Sequence, residues 1–188
     1  EKAVNYLDRH REVGVVGLQP SGGKSWGELG SGKKVQALIP SWIHFYNKPQ
    51  GSQLIDWVEN VQMVISGLLV KARPELDCGY YLGFEMIDYC LRIKAEGWDV
   101  IVKIVEAKSK EPIEKKSFYY YFRGRNPFLL LFKHWPKKTN LVYWFGLMVV
   151  INFFYGFELV IYERSFKHLR DYWNGYKDGI GLIWKELY

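Results

Sequence analysis

Two stretches of this chain place a helical pattern directly before a short apolar strand, and this repeated order most constrains the fold. Near the beginning, Lys2–Arg11 has apolar residues at helical spacing, and Glu12–Leu18 follows as a buried strand. Further along, the helical pattern of Phe84–Glu96 ends at Gly97, and the strand Val100–Val105 follows. The pattern therefore predicts an α/β fold.

The composition is that of a folded protein in a reducing compartment. The chain has 188 residues, of which 48% are apolar and 24% are charged, and this is enough for a real core. Only two cysteines are present, without zinc-type spacing, which disfavours a disulfide framework or a structural metal. No basic and apolar leader opens the sequence. We therefore expect a cytoplasmic location.

Positive charge is concentrated in one segment. The net charge is +6, and Lys108–Lys138 holds nine Lys and Arg against two Glu, a local charge of +7. The uncharged run Leu141–Phe157 follows, slightly shorter than the roughly 20 residues that cross a bilayer. An interfacial membrane helix and a buried helical hairpin both fit this run. We expect residues 113–188 to form an aromatic- and Lys/Arg-rich helical region after an α/β part at 1–112.

Two carboxylates are the first candidates for chemistry. Glu85 and Asp88 are three residues apart at the start of a predicted helix, so their side chains share one face and could transfer protons in one cleft. The helix dipole alone also favours acids at this position. Both interpretations remain open at this point.

Several different short motifs follow one another along most of the chain. They are Leu7–Gly17, Ile55–Val58, Met63–Ile65, Asp77, Tyr80–Arg92, Ala95–Trp98, Tyr119–Asn126 and Lys133–Lys138. In this order the chain resembles family 2 glycosyltransferases of the bacterial, rhamnosyltransferase-like kind. The resemblance implies a partial GT-A mixed sheet with flanking helices over 1–112, corresponding to the acceptor and catalytic half of that fold. A helical region that could associate with the membrane follows.

The resemblance also implies a function. Such a protein transfers a sugar from a nucleotide-sugar donor to a polysaccharide or lipid-linked glycan, at the cytoplasmic face of the cell membrane. Its partners would be donor, acceptor and an anionic membrane surface, and nucleic acid is not expected. We expect no cofactor in this chain and a divalent Mg or Mn ion only together with the missing first half. The isolated chain is expected to be inactive.

Individual residues receive roles from the matching motif positions. The resemblance implies catalytic carboxylates, acceptor-binding residues, and contacts to a diphosphate or lipid headgroup, with no metal ligand. The catalytic carboxylates would be Glu85 and Asp88. The acceptor-binding residues would be Asp56, Trp57, Asp77 and Tyr81. The contacts to a diphosphate or lipid headgroup would be Lys110, Arg123 and Arg125.

Two positions depart from the family pattern where the chemistry is expected. Met86 stands in place of a reactive acid, and Lys110 stands in place of a histidine. These departures favour an alternative, a non-catalytic glycosyltransferase scaffold or a module that binds a membrane surface. A third hypothesis is a basic domain that binds nucleic acid, although no RNA-binding motif of a known type is present.

Overall fold

The chain divides into two compact units. The computed structural model describes residues 2–20, 30–32, 52–59, 62–73, 75–105, 117–134, 145–146, 149–150, 152–156 and 165–187. The first unit takes in residues 1–37, 41–77 and 85–112, and the second takes in residues 38–40, 78–84 and 113–188. The predicted division at residue 112 stays a prediction.

The first unit is a mixed α/β structure, so the predicted class is confirmed. Its elements are α1 (Lys2–Arg9), β1 (Val13–Pro20), β2 (Gly30–Gly32), β3 (Ser52–Ile55), β4 (Trp57–Glu59), β5 (Gln62–Ile65), α2 (Gly67–Ala72), α3 (Glu85–Ala95) and β6 (Asp99–Val105). The four-stranded sheet has the order β3-β6-β1-β5. Strand β1 runs parallel to β6 and antiparallel to β5, and β3 runs antiparallel to β6.

Strand β1 lies inside the sheet because its apolar run tolerates neighbours on both edges. Val13, Val15 and Val16 are buried, as expected for a strand covered on its faces. Gly14 lies in the same run, where an added Cβ would come within 2.7 Å of the Leu69 Cδ2 atom. The predicted helix-then-strand order is confirmed for α1 with β1 and for α3 with β6.

The motif Ile55–Val58 is divided at Asp56 between two strands. Strand β3 ends at Ile55 and pairs with β6, whereas β4 begins at Trp57 and pairs with β2 in a separate two-stranded sheet. The two segments join different sheets, so the chain must change direction between them. The local pattern of apolar residues gave no sign of this change.

In the second unit, α4 (Ser117–His134) packs against α5 (Phe166–Leu187) at very short range. A Cβ added to Gly175 would overlap the carbonyl oxygen of Tyr121, and one added to Gly124 would lie 2.9 Å from the Tyr176 nitrogen. The two backbones can approach this closely only because these side chains are absent. Packing along the contact also explains why α4 continues through Pro127, a residue that usually breaks a helix.

Buried aromatic residues form the remaining core of this unit. Tyr120 and Tyr172 are both almost fully buried, and Tyr172 Oη donates to Asn152 O at 2.8 Å and contacts Asn152 Oδ1 at 3.0 Å. Burial raises the pKa of Tyr172 well above its ordinary value, because the phenolate would lose its hydration. Asn152 lies in the helical segment 152–156, which belongs to the uncharged run Leu141–Phe157.

The apolar run at 141–157, for which an interfacial membrane helix and a buried hairpin both remained open, is only partly described, since residues 141–144, 147–148, 151 and 157 lie outside the described ranges. Within those ranges, no helix combines the length and the apolar character needed to span a bilayer.

We expect Gly175→Ala to lower the free energy of unfolding by about 1–3 kcal/mol, because its methyl group would force the two helices apart. Gly181→Ala is the matched control, since an added Cβ there would meet no described atom within 4 Å. That substitution should raise stability by about 0.5–1 kcal/mol through helix propensity. Urea denaturation followed by circular dichroism measures both. Equal effects of the two substitutions would contradict the close helix contact.

Candidate functional site

The loop Cys78–Phe84 has a backbone conformation that is unusual for its sequence. Tyr81 has a φ angle of 58° and Phe84 one of 72°, with Gly83 at 73° between them. Side chains other than glycine rarely adopt this left-handed region, and each such residue costs about 1–3 kcal/mol. Two tight turns shape the loop, with Tyr81 N bonded to Cys78 O at 3.2 Å and Leu82 N bonded to Tyr80 O at 2.7 Å.

The Asn126 side chain holds this loop in place from α4. It is fully buried, and the two N–H donors of its Nδ2 group are shared among the carbonyl oxygens of three loop residues. The distances are 3.0 Å to Tyr80, 2.9 Å to Leu82 and 2.9 Å to Gly83. The carbonyls of a strained loop are thereby satisfied without water, which makes Asn126 the group that fixes the loop to the helix.

Arg125 sets the orientation of that amide and supports the loop itself. Its Nη1 donates to Gly79 O at 2.7 Å and to Asn126 Oδ1 at 3.1 Å. Because Oδ1 accepts from a guanidinium, Nδ2 must point towards the loop carbonyls. No carboxylate among the described residues pairs with Arg125.

The loop presents one aromatic ring to solvent. Tyr81 is 76% exposed, while its neighbour Tyr80 is fully buried. The Tyr81 ring lies against Phe122, with centroids 5.1 Å apart, and the Arg125 guanidinium lies 6.0 Å from the Phe122 centroid. We call Tyr81, Phe122 and Arg125 the Tyr81 platform. Such a surface offers a flat apolar face beside a fixed positive charge, which suits binding rather than bond making.

Two further cations of α4 lie on aromatic faces. The Arg123 guanidinium is 5.3 Å from the Phe84 centroid and 5.9 Å from that of Tyr155. Lys133 Nζ is 4.7 Å from the Tyr80 centroid, and partial desolvation lowers the pKa of this ammonium group. The structure thus brings the predicted residues Tyr81, Arg123 and Arg125 to the contact between one loop and one helix.

The two predicted catalytic carboxylates occupy the first turn of α3. Asp88 is buried, and its Oδ2 accepts from Arg92 Nε at 2.8 Å, one turn later on the helix. Glu85 Oε2 is buried and accepts no hydrogen bond from the described residues. A buried acid with a guanidinium partner on the same helix also has a structural role, since removal of the guanidinium would leave a buried charge without its ion-pair partner. A catalytic role for either group stays a prediction.

The remaining predicted site residues are dispersed or lie outside the described structure. Asp56 Oδ1 is 3.4 Å from Lys94 Nζ, so its charge is already paired. Asp77 is half-buried. The backbone of Trp57 belongs to β4, but its side chain lies outside the described residues, as does Lys110. No group of three or more His, Cys, Asp or Glu that could hold a metal ion occurs within the described ranges.

Sequence reasoning missed the roles of Asn126 and Phe122. Asn126 directly precedes Pro127, which is usually a sign of a chain break, and nothing local indicates that its amide reaches a loop more than 40 residues away. Phe122 reads as one more aromatic residue of an aromatic helix. A signal was present in the adjacent Arg125 and Asn126, two polar residues in an otherwise apolar run.

Comparisons with known proteins give one distant similarity. No family model matches the chain, and no solved structure matches it. The chain is similar to a tRNA sulfurtransferase of Thermoplasma volcanium, with 26% identity over 113 residues. The match covers 60% of this chain and 20% of that protein. The chain therefore spans about a fifth of the length of this relative.

The predicted membership of glycosyltransferase family 2 was wrong. The chain matches no model of that family and is similar to a tRNA sulfurtransferase instead. Sugar transfer, the role in polysaccharide synthesis with its membrane association, and the predicted donor, glycan and membrane partners are overturned by the same finding. The GT-A assignment of the sheet loses its support with them. The name of the similar protein instead refers to a nucleic acid, tRNA, which we did not expect as a partner.

The physical reason for the error is that the matching positions serve the fold. Acids at the start of α3 are favoured by the helix dipole, and Gly97 ends that region with a φ angle of 95° that suits glycine. The valines of β1 fill a sheet. A helix followed by a strand produces this pattern whatever chemistry the protein performs.

We expect Asn126→Asp to lower the free energy of unfolding by about 3 kcal/mol, because a buried carboxylate would face three carbonyl oxygens. Asn174→Asp, at an exposed position of α5, is the matched control and should change stability by no more than about 0.5 kcal/mol. Thermal and urea denaturation measure both. A wild-type unfolding curve for Asn126→Asp would show that the loop does not depend on this amide.

Proposed function

We propose that this chain binds tRNA, as the RNA-contacting part of a protein that modifies tRNA. The similarity to a tRNA sulfurtransferase supports the substrate class. The observation that carries the proposal is Arg125, a guanidinium beside an exposed aromatic ring with no carboxylate partner among the described residues. The substrate class comes from the name of the similar protein, and the step proposed for this chain is the binding of the RNA.

The charge distribution favours this function. RNA is a polyanion, and cations that neutralise its phosphates release condensed counterions, which drives binding. The sequence pI is about 9.1, and the 18 residues of α4 include Arg123, Arg125 and Lys133 without any Asp or Glu. A helix with cations alone presents an attractive potential to phosphate along its whole length.

Three cations of the first unit differ from Arg125 in that an acidic neighbour already compensates the charge of each. Arg73 Nε lies 2.9 Å from Glu96, Arg92 is bonded to Asp88, and Lys94 lies 3.4 Å from Asp56. Each of these would have to give up a partner to reach a phosphate. Arg125 bonds to neutral oxygens, so its charge remains available for an anion.

We expect the chain to bind tRNA with an affinity that falls steeply between about 50 and 200 mM salt. Arg125→Gln should weaken binding and reduce the slope of log K against log salt by about 1, since one phosphate contact is lost. Arg125→Lys keeps the charge and should keep the slope. Fluorescence anisotropy with labelled tRNA measures these values.

The control is Arg73→Gln, which removes the same charge from a residue paired with Glu96 and should leave the slope unchanged. Circular dichroism confirms that each variant is folded. Binding to phosphatidylglycerol vesicles without affinity for tRNA would contradict the proposal and favour a membrane surface. If Arg125→Gln and Arg73→Gln reduced the slope equally, tRNA binding would depend on the net charge of the chain and not on the position of Arg125.

A further inference from the structure

We infer that the Tyr81 platform binds an unpaired RNA base, so that the chain selects nucleotides outside double helices. This inference rests on the proposed function and adds the part of the RNA that is recognised. The features that carry it are the exposure of Tyr81, the free donors of Arg125, and the strain of the loop.

The Tyr81 ring offers a stacking surface of the right kind. One side of the ring packs against Phe122 at an interplanar angle of 33°, and Tyr81 as a whole is 76% exposed. Tyr121 in turn packs edge-on against Phe122, with centroids 5.0 Å apart, which holds that ring in place. A supported, exposed aromatic ring stacks on a nucleobase whatever its identity, because every base has a π face.

A base can use this surface only when it is unpaired. In an A-form helix each base is covered on both faces by its neighbours, and protein side chains reach the edges and the backbone. Bases in loops, bulges and single strands can turn outward and stack on aromatic residues. Tyr81 therefore distinguishes unpaired from paired nucleotides and does not distinguish one base from another.

Arg125 is placed to hold the phosphate of the same nucleotide. Its described hydrogen bonds both leave from Nη1, so Nε and Nη2 keep their donors among the described residues. The bonds to Gly79 and Asn126 fix the plane of the guanidinium, and a fixed guanidinium binds phosphate through two parallel hydrogen bonds. A stacked base and its phosphate would thus be held by neighbouring groups.

The backbone strain at Tyr81 supports a role of its ring in binding. Glycine would adopt the φ angle of 58° without penalty, whereas tyrosine is disfavoured there. An exposed ring recovers little of that cost by burial in the free protein. Strain of this kind is maintained where the strained residue takes part in binding.

The test uses the full chain with two RNAs of about 12 nucleotides per strand, an unstructured single strand and a fully paired blunt duplex, together with tRNA. Tyr81→Ala should weaken binding of the unstructured strand about tenfold and leave binding of the duplex unchanged. Tyr81→Phe should bind like the wild type. Tyr81→Gly should raise the melting temperature while it loses affinity, a combination that a purely structural residue would not give.

Phe166→Ala is the matched control, since Phe166 is 79% exposed in the same unit and should not affect either RNA. If tRNA binds but Tyr81→Ala keeps full affinity for the unstructured strand, the inference is wrong and the proposed function stands. Equal losses of affinity for the single strand and the duplex would also overturn the inference. If the wild type binds none of the RNAs, the proposed function and the inference both fail.

Discussion

The hydrogen bonds from Asn126 to the loop at 78–84 are the interaction on which the second unit depends. One buried amide satisfies three carbonyl oxygens of a loop that has two left-handed aromatic residues. Without that amide the carbonyls would need water, and the loop would relax towards ordinary backbone angles. The exposed position of Tyr81 and the fixed plane of Arg125 both follow from this one group.

The helix that carries Asn126 is itself positioned by close packing. Because Gly124 and Gly175 lack side chains, the backbones of α4 and α5 meet directly, and Tyr121 Oη donates to Asp178 at 2.7 Å across the same contact. A helix supported in this way tolerates Pro127, whose missing N–H would weaken an isolated helix. The arrangement explains how an aromatic helix with a proline can support the loop at 78–84.

The first unit shows how a fold can imitate a functional motif. Two of its acids pair with cations: Asp88 pairs with Arg92 within α3, and Asp56 pairs with Lys94 of the same helix. The positions that led us to a glycosyltransferase are those that a helix start, a helix end and a buried strand require. Resemblance across such positions carries information about architecture, and far less about chemistry.

The sequence alone determined the α/β order of the first unit, the long helices of the second and the excess of positive charge. Periodicity and glycine at a helix end decide these features over a few residues, so neighbours in the chain suffice to predict them. Only the tertiary structure decided that Tyr81, Phe122, Arg125 and Asn126 meet, since the loop and α4 are more than 40 residues apart in the chain. It also decided that Asp88 is buried, whereas its ion pair with Arg92 is local to one helix. Contacts between distant segments depend on packing and buried hydrogen bonds, which no local pattern encodes.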